Sequence, residues 1–160
     1  NMDLISELYI KRAQNELNLS IITMKISDNK ELQLTIFKLP NDTYYNAVIT
    51  HSYYCIFYCA KAYLMSKGIK TTAPEEHKKT YEEFEKFVKK GTLGKELLLI
   101  YQDAMIKAES LLLIFKDEKK KRGDFTYHKL PQANKQPATE SLENASKFFK
   151  TMYNVIYNKI

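Results

Sequence analysis

The chain has 160 residues, of which 44% are hydrophobic and 28% are charged, so it is long enough for a single domain, spanning 1–160, with a sizeable core. This composition excludes disordered and fibrous proteins. Four Gly and four Pro are too few for an all-β domain with many tight turns, which favours long helices. The net charge of +6 favours a polyanionic partner.

The first half of the chain predicts two long helices separated by an ambiguous segment. Apolar residues recur at helical spacing over 3–27. Residues 31–37 fit either a strand or a helical face, because their apolar residues alternate with polar ones but also recur every three to four positions. The next helix should begin with Asp42 as its N-cap and end before Gly68. Its stretch 53–65 is apolar nearly all round, as in the middle of a bundle.

Three further helices are predicted in the second half. Thr72 and Glu75 form a capping box, which predicts a shorter helix over 72–90. A long helix is expected over 92–122, and a last helix over 137–157 has a proline in its first turn. The fold class is therefore all-α, an antiparallel bundle of four to five helices.

Several functional classes lack support. Cys55 and Cys59 lie four positions apart on a predicted helix, which favours two buried thiols over a disulfide. Neither belongs to a zinc pattern, and no Glu stands three residues before a His, so no metal or other cofactor is expected. The longest apolar run, 53–60, is too short for a bilayer and no signal peptide is visible, so we expect a soluble cytoplasmic protein.

The stretch 116–128 carries the most informative chemistry. Extending the heptad pattern of the long helix beyond Phe115 places Glu118 and Arg122 on the core-facing stripe. Lys119, Lys120 and Lys121 surround this stripe, and His128 follows Arg122 after five intervening residues. An Arg and a His should therefore converge at the mouth of the bundle.

This pair of residue types suits phosphodiester chemistry. Arg122 would bind the phosphate bidentately and stabilise the charge that develops on it, while His128 would transfer protons near neutral pH. The side chains of Lys119, Lys120 and Lys121 would bind RNA. His77, near the start of the short helix, is a secondary candidate for substrate binding.

A purely structural explanation of 116–128 is also open. A lysine-rich helix end is commonly a solvated face that complements the helix dipole. Arg122 would then simply pair with Glu118, four residues earlier, which is the favourable order for such a pair.

The central helix carries a family resemblance. The run Ser-Tyr-Tyr-Cys-Ile-Phe-Tyr-Cys-Ala-Lys-Ala-Tyr-Leu over 52–64, followed by Gly68, resembles the pattern of small prokaryotic members of the HEPN family, the higher-eukaryote and prokaryote nucleotide-binding domains. The residues 71–77 resemble the family's next helix entry, and 138–149 resemble its closing helix. The Arg-x5-His spacing of 122–128 also agrees with the family, so the resemblance covers about 42–157.

The resemblance implies a helical bundle that commonly forms homodimers, in which two Arg/His motifs make one composite ribonuclease site. Many members are toxins paired with a minimal nucleotidyltransferase antitoxin, and others act in defence. Active members often have Asn, Asp or His after the Arg, where this chain has Gly123. Toxins inactivated by tyrosine modification have Tyr where this chain has Leu130. A metal-independent endoribonuclease is therefore the first hypothesis, and an inactive module that binds a nucleotide or a protein partner is the alternative.

Overall fold

The structure, a computed structural model, describes residues 3–120 and 135–158, with side chains described at 3–111 and 135–158. Within these ranges the elements are α1 (Leu4–Ser27), a π-helix (Leu32–Ile36), α2 (Tyr45–Ser66), α3 (Glu76–Lys89), α4 (Lys95–Lys120) and α5 (Lys135–Asn158). The described residues contain no strand, and the predicted all-α helical bundle is confirmed.

Helix α2 is the centre of the bundle, because α1, α3, α4 and α5 all pack against it. Its apolar side chains are buried on every face, as its sequence predicted. Cys55 and Cys59 are buried free thiols within this core. A helix that is apolar all round avoids water only when other helices surround it, so its composition explains its position.

Two helix pairs are antiparallel, as the order of their cross-helix contacts shows. In both pairs, residue numbers rise along one helix as they fall along the other. The contacts are Ser6 with Ala62 and Ser20 with Val48 for α1 and α2, and Glu96 with Lys147 and Lys107 with Glu140 for α4 and α5. These pairs provide the predicted antiparallel frame.

Helix α3 instead runs in the same direction as α2, because the residues 67–75 fold back along α2. Gly68, at φ +77°, ends α2 with a Schellman motif, as predicted. The carbonyl oxygen of Thr71 then accepts a hydrogen bond from Lys61 Nζ at 2.8 Å. This return places the first turn of α3 beside the middle of α2.

The ambiguous segment 31–37 is helical rather than extended, since residues 32–36 form a single π-turn. Gln33 is its fully buried residue. Its Nε2 donates to the carbonyls of Ile26 (2.6 Å) and Asp42 (2.9 Å), and its Oε1 accepts from the Asp42 N–H (2.8 Å). One amide therefore satisfies three backbone groups, and the sequence pattern contains no sign of these partners.

Two predicted helix starts are wrong. Asp42 does not cap α2, which begins at Tyr45, because the backbone of Asp42 is held by the preceding segment and its Oδ1 accepts from the Thr43 N–H at 2.7 Å. The capping box is also not formed. Glu75 adopts the left-handed conformation, with φ +56°, and makes no capping hydrogen bond, so Thr72 precedes no helical turn.

The heptad pattern predicted for the long helix is confirmed within the described side chains, and the last helix also buries one face. The buried apolar residues are Leu97, Ile100, Tyr101, Ala104, Ala108 and Leu111 in α4, and Ala138, Ala145, Phe148, Met152 and Ile156 in α5. Among the described residues, no helix is both long enough and apolar enough to cross a membrane.

Candidate functional site

Of the residues predicted to carry chemistry, Lys119 and Lys120 lie at the C-terminal end of α4 and His77 lies at the start of α3. Lys119 and Lys120 are the last two helical residues of α4, and their side chains are not among those described. Lys121, Arg122 and His128 lie outside the described residues, so their roles stay predictions. Helix α4 reaches to within two positions of the predicted catalytic arginine.

His77, the remaining predicted site residue, lies in the first turn of α3 and packs against the central helix. Its ring stacks on Phe57, with centroids 4.0 Å apart and planes 15° apart. Its Nδ1 lies 2.7 Å from the hydroxyl oxygen of Tyr53. The ring of Tyr54 meets it edge-on at 6.0 Å. These contacts hold the imidazole in one orientation. The hydrogen bond with Tyr53 uses Nδ1 and leaves Nε2 unused.

Burial shifts the protonation equilibria of the two bonded groups in opposite directions. Burial lowers the pKa of His77 below its ordinary value of 6.5, with Glu76 opposing this effect and Lys61 reinforcing it. Burial, and then the neighbouring Tyr54 and Glu109, raise the pKa of Tyr53. Both groups are therefore neutral at pH 7, and the pair is a neutral hydrogen bond between an aromatic hydroxyl and an imidazole.

A buried lysine anchors the start of α3 next to His77. Lys61 is 3% exposed and forms an ion pair with Glu76. Its Nζ lies 5.0 Å from the ring centroid of Tyr9 and 5.9 Å from that of Phe57. Glu76 directly precedes His77 in the chain, so the ion pair fixes the backbone that carries the imidazole.

A pocket opens beside this histidine, between α2, α3 and α4. Its volume is about 310 Å³, near the lower end of the range for small-molecule sites. Its described lining comprises Asn46, Thr50, Tyr53, Tyr54, His77, Met105, Ala108, Glu109 and Leu111. Aromatic rings form one part of the wall and aliphatic side chains of α4 another. The pocket follows α4 toward the end where the predicted catalytic segment begins.

The lowered pKa of His77 predicts a specific pH dependence of stability. Above about pH 6.5, the imidazole is neutral in the folded and unfolded chains alike. As the pH falls, the unfolded chain binds the proton first, which favours unfolding. We expect the unfolding free energy to decrease between about pH 7 and pH 5, and to decrease less in a His77→Gln variant. Urea titrations followed by circular dichroism would measure both slopes, and equal slopes would contradict the prediction.

A second histidine lies in a separate polar cluster on α1 and α2. His51 Nδ1 is 2.6 Å from Glu16 Oε2, and Arg12 Nε is 3.5 Å from Glu16 Oε1. The Arg12 guanidinium also lies over the Tyr58 ring at 5.2 Å. These three charged or polar groups satisfy one another, so they form a structural cluster apart from the pocket.

Sequence reasoning found His77 but missed the groups around it. Lys61 was visible as a lysine in an otherwise apolar helix, which is a signal for a buried partner. The two tyrosines of the Tyr53–Tyr54 pair were visible as polar tips needing partners. Glu109 had no signal at all, because an acidic residue on a helix surface is ordinary in a sequence.

Comparison with known proteins identifies the family. A family model described as the HEPN domain matches residues 35–156, which is 122 of the 160 residues. Searches of curated proteins and of solved structures gave no match. The matched range includes the central helix with its Tyr-Tyr run, the pocket and the Arg-x5-His segment. The chain therefore belongs to the HEPN family.

Proposed function

We propose that the chain is a metal-independent endoribonuclease of the HEPN type, with Arg122 and His128 as its catalytic residues. The observation that carries the proposal is the family match, which extends through both residues and so includes the Arg-x5-His spacing. The helical conformation of α4, which the structure describes as far as Lys120, also supports the proposal, because the arginine was predicted at the end of this helix.

The proposed reaction is an internal transesterification. The RNA 2′-oxygen attacks the adjacent phosphorus, the bond from phosphorus to the 5′-oxygen breaks, and the products are a 2′,3′-cyclic phosphate and a 5′-hydroxyl. His128 transfers the proton of the attacking or leaving oxygen. Arg122 binds the two non-bridging phosphate oxygens and stabilises the charge of the transition state. A homodimer would contribute two histidines, one as base and one as acid.

Positive charge beside the catalytic segment supports RNA as the substrate. Lys119, Lys120 and Lys121 immediately precede Arg122, in a chain of net charge +6. Such a cluster attracts a polyanion, and its contribution weakens as salt increases. We therefore assign these lysines to RNA binding, with His77 contributing from the pocket.

The biological setting that fits this activity is a cytoplasmic toxin or defence ribonuclease, with a minimal nucleotidyltransferase as its antitoxin. The family affiliation supports this setting. A nucleotidyltransferase gene next to the gene for this chain would favour the toxin role.

A second function, binding of a nucleotide or a protein without cleavage, is favoured by Gly123. Active relatives often have a polar or charged residue directly after the arginine, and glycine provides no side chain there. The pocket, which is partly lined by aromatic rings, would serve such a module as well as it would serve an enzyme.

Cleavage of RNA in the presence of EDTA distinguishes the two functions. We expect the purified chain to cut RNA without divalent ions and to leave 2′,3′-cyclic phosphate ends. A matched RNA with 2′-deoxyribose at the cleaved positions should resist, because it lacks the attacking oxygen. Nucleotide binding with no cleavage would instead support the second function, and cleavage of the deoxy-substituted RNA would exclude the proposed reaction.

A further inference from the structure

The pocket beside His77 has a volume and a lining that suit an aromatic ring. The imidazole stacked on Phe57 and the edge of Tyr54 provide its aromatic side. Met105, Ala108 and Leu111 of α4 provide its apolar side. Aromatic heterocycles bind between such surfaces through stacking, which contributes about 1–3 kcal/mol per base in single-stranded nucleic acid complexes.

The charge of the lining favours a base over a phosphate. Among the described lining residues, Glu109 has a formal charge at neutral pH and the others do not, since burial keeps His77 neutral. A carboxylate repels phosphate, and the described part of the lining provides no cation to offset this repulsion. The pocket therefore accepts an uncharged part of a nucleotide.

Glu109 also specifies which base fits. Its carboxylate is exposed at the rim, close enough to Tyr53 to raise that hydroxyl's pKa, and it forms no ion pair within the described part of the chain. A carboxylate presents two acceptor oxygens side by side. Guanine matches it with two adjacent donors, N1–H and the N2 amino group. Adenine has an acceptor at N1 next to its amino group, and uracil has one donor between two acceptors.

We propose that this pocket binds a guanine base. Glu109 would accept hydrogen bonds from its N1–H and N2–H groups, the His77 ring would stack on a face of the base, and the Tyr54 ring would meet its edge. Guanine recognition within an RNA substrate rests on the proposed ribonuclease function, whereas binding of a free nucleotide does not. Glu109 precedes Lys120 by eleven helical residues, or about 17 Å along α4. If Arg122 binds the cleaved phosphate as proposed, the guanine would therefore lie a few nucleotides along the RNA from it and would set where cleavage occurs.

The test is a comparison of 5′-GMP, 5′-IMP and 5′-AMP, whose phosphates are identical, by titration calorimetry with the full chain. We expect GMP to bind about tenfold more tightly than AMP, with IMP between them because it lacks the N2 amino group. A Glu109→Gln variant should lose the preference for GMP, since an amide offers one acceptor and one donor. An Asp103→Asn variant removes the same charge from the same helix outside the pocket and should retain it.

The proposal is overturned if the wild type binds no GMP, if GMP and AMP bind equally, or if Glu109→Gln keeps the tenfold difference. Circular dichroism of each variant would verify that the helices are intact. A chain that binds GMP selectively but cuts no RNA would support the pocket and contradict the ribonuclease. A chain that cuts RNA in EDTA but shows no preference for GMP would support the ribonuclease and contradict the guanine pocket. Each proposal can therefore fail without the other.

Discussion

Replacing Arg122 or His128 with alanine is expected to lower the rate of RNA cleavage by about a hundredfold or more, while helix content stays unchanged. The arginine variant loses the cation that binds the phosphate, and the histidine variant loses the group that moves the proton. Both residues come after the last described turn of α4 in the sequence, so neither change removes a described packing contact. Single-turnover cleavage of a labelled RNA in EDTA would measure the effect.

The chain provides matched controls for both substitutions. Arg12→Ala removes the same charge from α1, where Arg12 pairs with Glu16 far along the chain from the catalytic segment. His51→Gln removes an imidazole from the same cluster. Both controls should cleave RNA at nearly the wild-type rate. If Arg122→Ala and His128→Ala also cleaved at that rate, the catalytic assignment would be wrong.

An Arg122→Lys variant separates charge from geometry. Lysine keeps the positive charge but cannot form two parallel hydrogen bonds to a phosphate. We expect RNA binding to be retained and the cleavage rate to remain well below that of the wild type. Full activity of this variant would indicate that Arg122 acts as a general positive charge that attracts RNA.

Removing the ion-pair partner of the buried lysine is expected to lower the free energy of unfolding more than the other substitutions do. Glu76→Ala leaves the ammonium of Lys61 inside the core without its counter-ion. Because Glu76 is partly exposed, we expect a cost of about 2 kcal/mol, below the value for a fully buried pair. The carbonyl of Thr71 and the rings of Tyr9 and Phe57 remain as partners, but none carries a negative charge. Urea denaturation would measure the loss.

Lys61→Met is the informative counterpart of this substitution. Methionine fills a similar volume and removes the buried charge together with its pairing, a replacement that is often nearly neutral. The Thr71 carbonyl loses its donor, so we expect a net cost of about 1 kcal/mol. Glu76, whose side chain is 37% exposed, can be hydrated. If the Lys61→Met variant were less stable than the Glu76→Ala variant, the lysine would stabilise the fold through more than its ion pair.

Hydropathy and glycine positions were sufficient to predict the framework of the fold. The stripe from Leu97 to Leu111 and the all-round apolar stretch of α2 gave the correct buried faces, because burial repeats with the helical period. Gly68 gave the correct end of α2, because a left-handed residue at this position is a local requirement. Family membership also followed from a local feature, the Tyr-Tyr run of the central helix.

Helix starts were predicted less well where distant groups competed with local capping. Asp42 has a side chain suited to an N-cap. Its backbone carbonyl and N–H are instead hydrogen-bonded to the side chain of Gln33, nine residues earlier, and α2 begins later in the chain. Thr72 and Glu75 have the spacing of a capping box, yet the chain there folds back along α2 to reach Lys61. In both places a hydrogen bond to a residue farther away along the chain is formed and the local capping bond is not.

The candidate site, like the fold, could be predicted from the sequence only in part. The roles of Arg122, His128 and the lysines beside them stay predictions. The sequence was enough to predict an all-α fold, from the period of its apolar residues, and to recognise the HEPN family, from the Tyr-Tyr run of the central helix. It did not reveal the pocket, which joins Tyr53 to His77 across 24 residues and brings Glu109 of a third helix to its rim. Periodicity reports which face of a helix is buried, whereas the neighbour that meets this face depends on how the helices cross.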